Sequence, residues 1–377
     1  MHALRHALTV VALAGATAQA APQVDVIASG LANPRGIAFA PNGLLFVAEA
    51  GRGGNGACAV LGDGQNACYG ETGALTRIDP TGLGPPVQVI SGLPSLAPAG
   101  GFGAAGPHSI SFVGTGAGHL VMGLGTNAAV RNGLGAKSAL FGRVLQVNVA
   151  GAWKAGADVA AFEAANNPVP GGTDSNPYGV AALPSRHLVA DAGANALFEV
   201  KASGAIQTLA VFGTRLVAAP PFLGLPPGAQ FPMQAVPTSV AEGPDGWLYV
   251  GQLTGFPFPV GAANVYRIPP QGGTPQVFAS GFTNIVSVAF DAQGMLYVLQ
   301  IGNGFAGQGG PPLSPPGKLI RVNANGAQTV IYDGLFYPGG LAIGPDGAAY
   351  VTNFGIVPGR IPQVFPDGGQ VLRISLD

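Results

Sequence analysis

The chain has 377 residues, of which 62 are Gly and 34 are Pro, while Asp, Glu, Lys and Arg together make up only 9%. Hydrophobic residues reach 47%, which argues against disorder, because disordered chains combine low hydrophobicity with high charge. Gly and Pro destabilise helix interiors, and 16 basic against 17 acidic residues leave no basic surface for nucleic acid, so the composition predicts a turn-rich all-β protein without a nucleic-acid partner.

The first twenty residues have the pattern of a signal peptide. Arg5 lies in a short basic start, residues 7–16 are small and apolar, and Ala18 and Ala20 frame the kind of site that signal peptidase cuts. The apolar segment is too short to cross a bilayer, which takes about 20 residues. We therefore expect cleavage near Ala20, export to the periplasm or the cell exterior, no membrane span, and residues 21–377 as one monomeric domain.

The two cysteines lie close together in the chain. Cys58 and Cys68 are in a glycine-rich stretch that cannot hold its own shape. An exported protein meets an oxidising compartment, and two thiols alone lack the four-ligand spacing of a zinc site. The sequence therefore predicts a disulfide between Cys58 and Cys68 that orders this loop.

One sequence unit recurs six times after residue 30. Each unit has an inner strand, a second strand rich in Val and Tyr, a variable loop and a third strand, and in four units a turn such as Asp245-Gly246 joins the first two strands. A fourth strand precedes the second, fifth and sixth units at residues 87–92, 276–281 and 329–334, with weaker forms at 159–162 and 206–212. The inner strands are expected to open at Pro34, Pro107, Pro177, Pro237, Ile285 and Pro338.

The two ends of the chain complement each other. Residues 24–30 carry the signature of the fourth strand, and the chain stops directly after a third strand. Pairing the N-terminal strand with the last unit would remove an open sheet edge and close a ring. The sequence therefore predicts an all-β six-bladed β-propeller with four-stranded blades, in which the N-terminal strand completes the last blade.

Elaboration is confined to one face of the expected ring. The connections between second and third strands and those between outer and inner strands share this face, which we call the loop face, and they are long, whereas the opposite turns are short. Phe222, Phe256, Phe258 and Phe354 lie on these loops. They suit a small apolar or aromatic ligand or a protein partner, or else the loops only pack on one another and cap the channel.

Two sets of residues are expected at the loop-face end of the channel: the residue before the Gly or Ser of each inner strand, and the residue that ends each second strand. Their members predict a ligand-binding mouth formed by Arg35, His108, Tyr178, Thr238, Gln252 and Gln300. Glu49, Asp191 and Asn353 offer oxygen ligands for one divalent cation such as Ca²⁺, although Gly123 interrupts the ring. His108 and Arg35 are candidate catalytic residues, as base and anion clamp, unless the channel residues only bond each other and water.

Several stretches resemble a known family. Residues 251–261 (GQLTGFPFPVG), supported by residues 176–179, 236–246 and 280–285, are similar to the ScyD/ScyE family of exported bacterial proteins, which are NHL-like propellers. The resemblance implies export and a six-bladed propeller, but no activity that can be assigned to residues, and a role with the pigment scytonemin does not follow. Lactonase-like propellers hold a metal with Glu, Asn and Asp at the channel mouth, and Glu49, Asn353 and Asp191 match those residue types.

The sequence leaves three functions open. The favoured one is a non-catalytic binding or scaffold propeller that takes its ligand or partner on the loop face. The alternative is a metal-assisted lactonase-like hydrolase that uses Glu49, Asp191 and Asn353, with His108 as base. A quinone-cofactor dehydrogenase using Arg35 and His108 is less favoured, because few basic residues face the channel to hold an anionic cofactor.

Overall fold

The computed structural model describes residues 21–304, 313–323 and 325–376, so the predicted signal peptide lies outside the described residues. Six antiparallel sheets follow one another around a ring, and in each sheet the inner, second and third strands run outward from the channel in chain order. The first strand of the chain, β1 (Val24–Leu31), belongs to the last sheet. The architecture is therefore the predicted six-bladed β-propeller.

The strands of the first three blades have the following bounds. Blade 1 holds β2 (Pro34–Phe39), β3 (Leu45–Glu49), a short extra strand β4 (Cys58–Val60), β5 (Asn66–Ile78) and β6 (Val87–Ala97). Blade 2 holds β7 (Pro107–Val113), β8 (Ala117–Met122), β9 (Arg143–Asn148) and β10 (Trp153–Asp158). Helix α1 (Val159–Asn166) leads into blade 3, which holds β11 (Pro177–Leu183), β12 (Arg186–Asp191), β13 (Ala196–Lys201) and β14 (Ile206–Val211).

A hairpin of β15 (Arg215–Ala218) and β16 (Gln230–Met233) then stands apart from the blades. Blade 4 holds β17 (Pro237–Glu242), β18 (Leu248–Gln252), β19 (Ala263–Ile268) and β20 (Gln276–Phe282). Blade 5 holds β21 (Ile285–Phe290), β22 (Leu296–Gln300), β23 (Gly317–Val322) and β24 (Gln328–Leu335). Blade 6 holds β25 (Gly340–Ile343), β26 (Ala349–Asn353), β27 (Gly369–Ile374) and β1. Short 3₁₀ turns cover Ala128–Arg131, Ser138–Leu140 and Pro221–Leu223.

The ring closes through the N-terminal strand, as predicted. Strand β1 pairs antiparallel with β27, with Val24 opposite Ile374 and Asp25 opposite Arg373. Inner strands of neighbouring blades contact each other all the way round, including β2 of blade 1 with β25 of blade 6. Closure leaves the ring itself without a free end, because the last blade is built from both ends of the described chain.

The core lies between the blades. Phe46 on β3 packs against Phe112 on β7, Tyr249 on β18 against Phe290 on β21, and Tyr350 on β26 against Phe39 on β2, each pair with ring centroids 4.9 Å apart. Aromatic pairs at this distance stabilise the fold beyond the contribution of the apolar area that they bury. Stacked blades therefore fix the inner strands, and with them the residues that face the channel.

One predicted strand is wrong. Residues 159–162, expected as a weak outer strand of blade 2, lie in α1, and the outer strand is β10, directly before them. The Asp158 side chain accepts a hydrogen bond from the Ala161 backbone N–H at 3.0 Å and so caps the helix. An N-cap followed by alanine-rich sequence favours a helical turn over a strand.

The disulfide is present. Cys58 and Cys68 are bonded, and they face each other across the β4–β5 pair. The bond therefore anchors an added strand to blade 1 on the loop face. Of the residues that the structure describes, none belongs to a helix long and apolar enough to span a membrane.

Candidate ligand pocket at the channel mouth

A cavity of about 410 Å³ opens at the loop-face end of the channel. Four blades contribute to it: Arg35 and His108 come from the inner strands of blades 1 and 2, Tyr178 from that of blade 3, and Phe256 and Phe258 from a loop of blade 4. We call this cavity the mouth pocket. It brings together three of the predicted mouth residues and two of the predicted apolar loop residues.

A second cavity of about 350 Å³ lies deeper, between the inner strands. His108 and Tyr178 border both cavities and so separate the mouth pocket from the channel. Thr238 borders only the channel, where its hydroxyl donates to the Ile285 carbonyl at 2.8 Å. Thr238 is therefore a channel residue that joins two blades and does not belong to the mouth pocket.

Arg35 is buried in the wall of the mouth pocket and is 6% exposed. Its Nη2 donates to the Ala104 carbonyl at 2.9 Å, while its Nε is buried and has no acceptor. Among the ion pairs formed by the described residues, none includes Arg35. The pocket wall therefore carries an arginine that forms no ion pair with the described residues.

His108 is 3% exposed and packs beside Arg35 and Tyr178. Its Nδ1 lies 3.3 Å from the Pro177 carbonyl, and its ring centroid is 4.8 Å from that of Tyr178. Burial, and then the charge of Arg35, lower the pKa of His108 to about 3. The imidazole is therefore neutral near neutral pH and does not add a second positive charge.

Gly123 explains why blade 2 lacks a polar residue at the end of its second strand. A Cβ at Gly123 would lie 2.0 Å from Cε1 and 2.2 Å from Nδ1 of His108. The His108 ring occupies the space that a side chain would need at this position. The predicted ring of polar residues is therefore interrupted at Gly123 because a side chain there would exclude His108 from its position.

An acidic side of the mouth pocket was missed by the sequence analysis. Asp174 lies against Gly62 and Gly193, where a Cβ on either glycine would be 2.9 Å from its carboxylate. Its Oδ1 is buried without a hydrogen-bond partner, and burial followed by the charge of Asp63 raises its pKa. The available signal was the position of Asp174, which lies three residues before the inner strand that begins at Pro177.

A further carboxylate, that of Glu163 on α1, lies in the same connection between blades 2 and 3. It is 1% exposed, its Oε2 has no partner, and burial together with the charge of Asp191 raises its pKa to about 7. Burial also raises the pKa of Asp191 to about 6. The connection between blades 2 and 3 therefore concentrates buried acidic groups.

Five of the residues that end second strands accept hydrogen bonds from their own blade or from the loops beside it. The Ala32 N–H donates to Glu49 Oε2 at 2.7 Å, the Thr283 N–H to Gln300 Oε1 at 2.9 Å, and the Phe336 N–H to Asn353 Oδ1 at 2.7 Å. Asp191 and Gln252 also accept hydrogen bonds. The donors to Asp191 are Ser175, Asn176, Gly193 and Ala194. The donors to Gln252 are Arg215, Asn264 and Tyr266. None of the five lines the mouth pocket.

The predicted cation ligands lie in blades 1, 3 and 6, each with hydrogen bonds of its own. Burial outweighs the hydrogen bonds that Glu49 accepts and raises its pKa, so its oxygens lie in a poorly solvated place. Within the described part of the chain, no group of three or more His, Cys, Asp or Glu side chains could hold a metal ion. The cation site formed by Glu49, Asp191 and Asn353 stays a prediction.

The predicted apolar loop residues fall into two clusters. Phe222 and Phe258 surround Phe256, with ring centroids 6.1 and 6.4 Å from it, at the edge of the mouth pocket. Phe354 lies elsewhere on the loop face, 5.1 Å from Phe336 and 5.9 Å from Phe365. Of these two clusters, only the first borders the mouth pocket.

Comparison with known proteins finds similarity at the level of the fold. No family model and no curated protein matches the chain. A protein of unknown function from Bacteroides thetaiotaomicron is 10% identical over 94% of this chain and 76% of its own, with a TM-score of 0.53. A virginiamycin B lyase from Staphylococcus aureus is 12% identical over 94% of this chain and 100% of its own, with a TM-score of 0.46. A putative gluconolactonase is also 12% identical, over 94% of this chain and 93% of its own, with a TM-score of 0.48. We draw no activity from these similarities.

Proposed function

We propose that this chain is an exported binding protein that holds a small apolar or aromatic ligand in the mouth pocket. One observation carries the proposal: a cavity of about 410 Å³ gathers Arg35, His108 and Tyr178 beside the rings of Phe256 and Phe258. Pockets for small molecules are commonly about 300–1,000 Å³ and combine mostly apolar walls with a few polar groups. The mouth pocket has both properties.

The pocket is suited to binding because its ring-bearing loop is held in one shape. Thr254 and Phe258 adopt left-handed backbone conformations with φ of 73° and 54°, which non-glycine residues seldom adopt. The Gly255 N–H donates to the Gln234 carbonyl, and the Phe258 N–H to the Gly255 carbonyl, at 2.9 and 3.0 Å. A loop ordered before binding spares part of the entropy that ordering would cost.

Binding is tested with N-phenyl-1-naphthylamine, a neutral aromatic molecule whose fluorescence rises in apolar surroundings. Phe258→Ala removes one wall of the mouth pocket and should weaken binding by about tenfold or more, which is about 1.4 kcal/mol. Phe354→Ala is the matched control, because it removes a ring from the other cluster on the same face. Equal binding by wild type and both variants would contradict the proposal.

Export and family membership belong to the same proposal. The resemblance of residues 251–261 to the ScyD/ScyE family supports an exported propeller, and the disulfide between Cys58 and Cys68 is compatible with an oxidising compartment. N-terminal sequencing of the protein recovered from the periplasm or the medium should begin near Ala21. Recovery of the uncut chain from the cytoplasm alone would contradict export.

A protein partner is the second candidate, and a separate observation favours it. The β15–β16 hairpin and the loop after β18 expose Leu216, Leu225 and Val260, with Leu216 67% and Val260 75% accessible. Large exposed apolar groups gathered on one face are typical of interaction surfaces. Sedimentation at increasing concentration tests self-association, which Leu216→Ser and Val260→Ser should then abolish. A monomer at all concentrations would exclude a second copy as the partner.

A further inference from the structure

Arg35 is a buried arginine that has no ion-pair partner among the described residues. It is 6% exposed, donates once to a neutral carbonyl, and leaves Nε without an acceptor. Burying a charge costs free energy unless the charge is paired and hydrogen-bonded. The guanidinium is nevertheless placed in the wall of a cavity, where a bound molecule could reach it.

The groups around Arg35 do not supply the missing charge. His108 is neutral, and the contacts of Arg35 to the loop of blade 2 end on the Ala104 carbonyl. Asp63 and Asp174 also line the mouth pocket, but neither forms an ion pair with Arg35 at 4.0 Å or less. The carboxylates of Asp63 and Asp174 would repel any acid group of a ligand that has no cation to pair with.

We propose that the ligand of the mouth pocket is an aromatic mono-acid whose acid group pairs with Arg35 and whose ring packs against Phe256, Phe258 and Tyr178. This inference rests on the proposed function, because it specifies the ligand of the same pocket. The planar guanidinium presents several N–H groups in a fixed fork, which suits the oxygens of an acid group. The neutral His108 leaves that interaction without a competing cation.

Two fluorescent molecules with the same aromatic frame separate the charge from the ring. 1-Anilinonaphthalene-8-sulfonate carries one acid group, and N-phenyl-1-naphthylamine carries none. The wild-type protein should bind the sulfonate about tenfold more tightly or better, a difference of about 1.4 kcal/mol. Arg35→Met should remove this preference, bringing the ratio of the two affinities close to one, because an apolar side chain of similar length replaces the cation.

Arg52→Met is the matched control, since Arg52 is an exposed arginine on the same face and does not line the mouth pocket. It should leave the preference for the sulfonate unchanged. Arg35→Lys keeps the charge without the fork and should give an intermediate preference. If Arg35→Met does not fold, the wild-type preference and its reduction in Arg35→Lys decide the matter.

The outcomes distinguish the two proposals. Equal affinity for both molecules in the wild type, or a preference that survives Arg35→Met, would overturn the acid ligand but leave the binding pocket in place. A failure of Phe258→Ala to weaken either molecule would overturn the proposed function itself. A preference for the sulfonate that Arg52→Met also removes would assign the effect to the general charge of the face and overturn the role of Arg35.

Discussion

Gly123→Ala is the sharpest test of how the mouth pocket is built. Gly123 follows β8, and the Cβ of an alanine there would lie 2.0 Å from Cε1 of His108. His108 is 3% exposed, and its ring packs on Tyr178 with the ring centroids 4.8 Å apart. The added methyl group must therefore displace either the imidazole or the backbone after β8.

The expected cost follows from this overlap. Overpacking a well-packed site usually costs about 1–3 kcal/mol of unfolding free energy, and the strength of the clash favours the upper part of that range. In a His108→Ala background the obstacle is gone, so the same change should cost less than about 0.5 kcal/mol, as for a site without strain. The coupling between the two substitutions should therefore be at least about 1 kcal/mol, within the range found for residues in contact.

Urea unfolding of the wild type, the two single variants and the double variant measures this coupling. An unchanged urea slope would show that the substitutions alter stability and not the extent of unfolding. Gly123→Ala should also weaken binding of the naphthalene sulfonate, because the displaced imidazole shares its surroundings with Arg35. If Gly123→Ala costs the same with and without His108, the account of the missing polar residue in blade 2 is wrong.

Three further predictions concern stability and metal content. Burial lowers the pKa of His187 from 6.5 to about 3, so the folded state should be most stable above about pH 6.5 and should lose stability as the pH falls towards 3. Urea midpoints should show this loss of stability, and the loss should be smaller in His187→Gln. Replacing both Cys58 and Cys68 with Ser should cost about 2–3 kcal/mol, less to the extent that the β4–β5 pair already closes the loop, and an unchanged urea midpoint would contradict this. Elemental analysis with Ca²⁺ and Zn²⁺ thermal-shift titrations tests the hypothesis of a metal-assisted hydrolase. A stoichiometric metal that is lost when Glu49→Gln and Asp191→Asn are combined would favour this hypothesis. No metal and no shift in melting temperature would exclude this cation site.

The stability of that double variant is itself informative. Asp191 accepts hydrogen bonds from the N–H groups of Asn176, Gly193 and Ala194 and from the Ser175 hydroxyl. An amide at position 191 would turn N–H groups towards some of these donors, so Asp191→Asn should destabilise the fold by about 1–3 kcal/mol even without a metal. Loss of metal must therefore be measured on folded protein, below the melting temperature of the variant.

Much of the fold could be predicted from the sequence because the same unit is repeated. Five inner strands begin at the expected residues, from Pro34 to Ile285, and the sixth begins at Gly340, two residues after Pro338. The pairing of β1 with β27 also followed from the sequence, since a fourth-strand signature at one end met a missing fourth strand at the other. Six noisy copies of one pattern define it better than any single copy could.

The features that escaped prediction occur only once among the described residues. Helix α1 depends on a local cap at Asp158, and the weak strand signal at residues 159–162 did not reveal it. The β15–β16 hairpin has no counterpart in the described parts of the other blades, and the acidic side of the mouth pocket depends on Asp174 meeting two distant glycines. Contacts between single residues of different blades leave no periodic trace in a sequence.

The polar ring at the ends of the second strands has a structural explanation. Each blade must satisfy backbone N–H groups in the loop that leads to its inner strand, because buried donors without acceptors are costly. Glu49, Gln300 and Asn353 meet that need separately in three blades, so their recurrence has a structural cause that requires no shared ligand. This need for backbone acceptors does not explain residues that depart from the repeat. Arg35 Nε lacks an acceptor, and the His108 ring fits only because Gly123 has no side chain. These departures, more than the repeated positions, indicate where a ligand would bind.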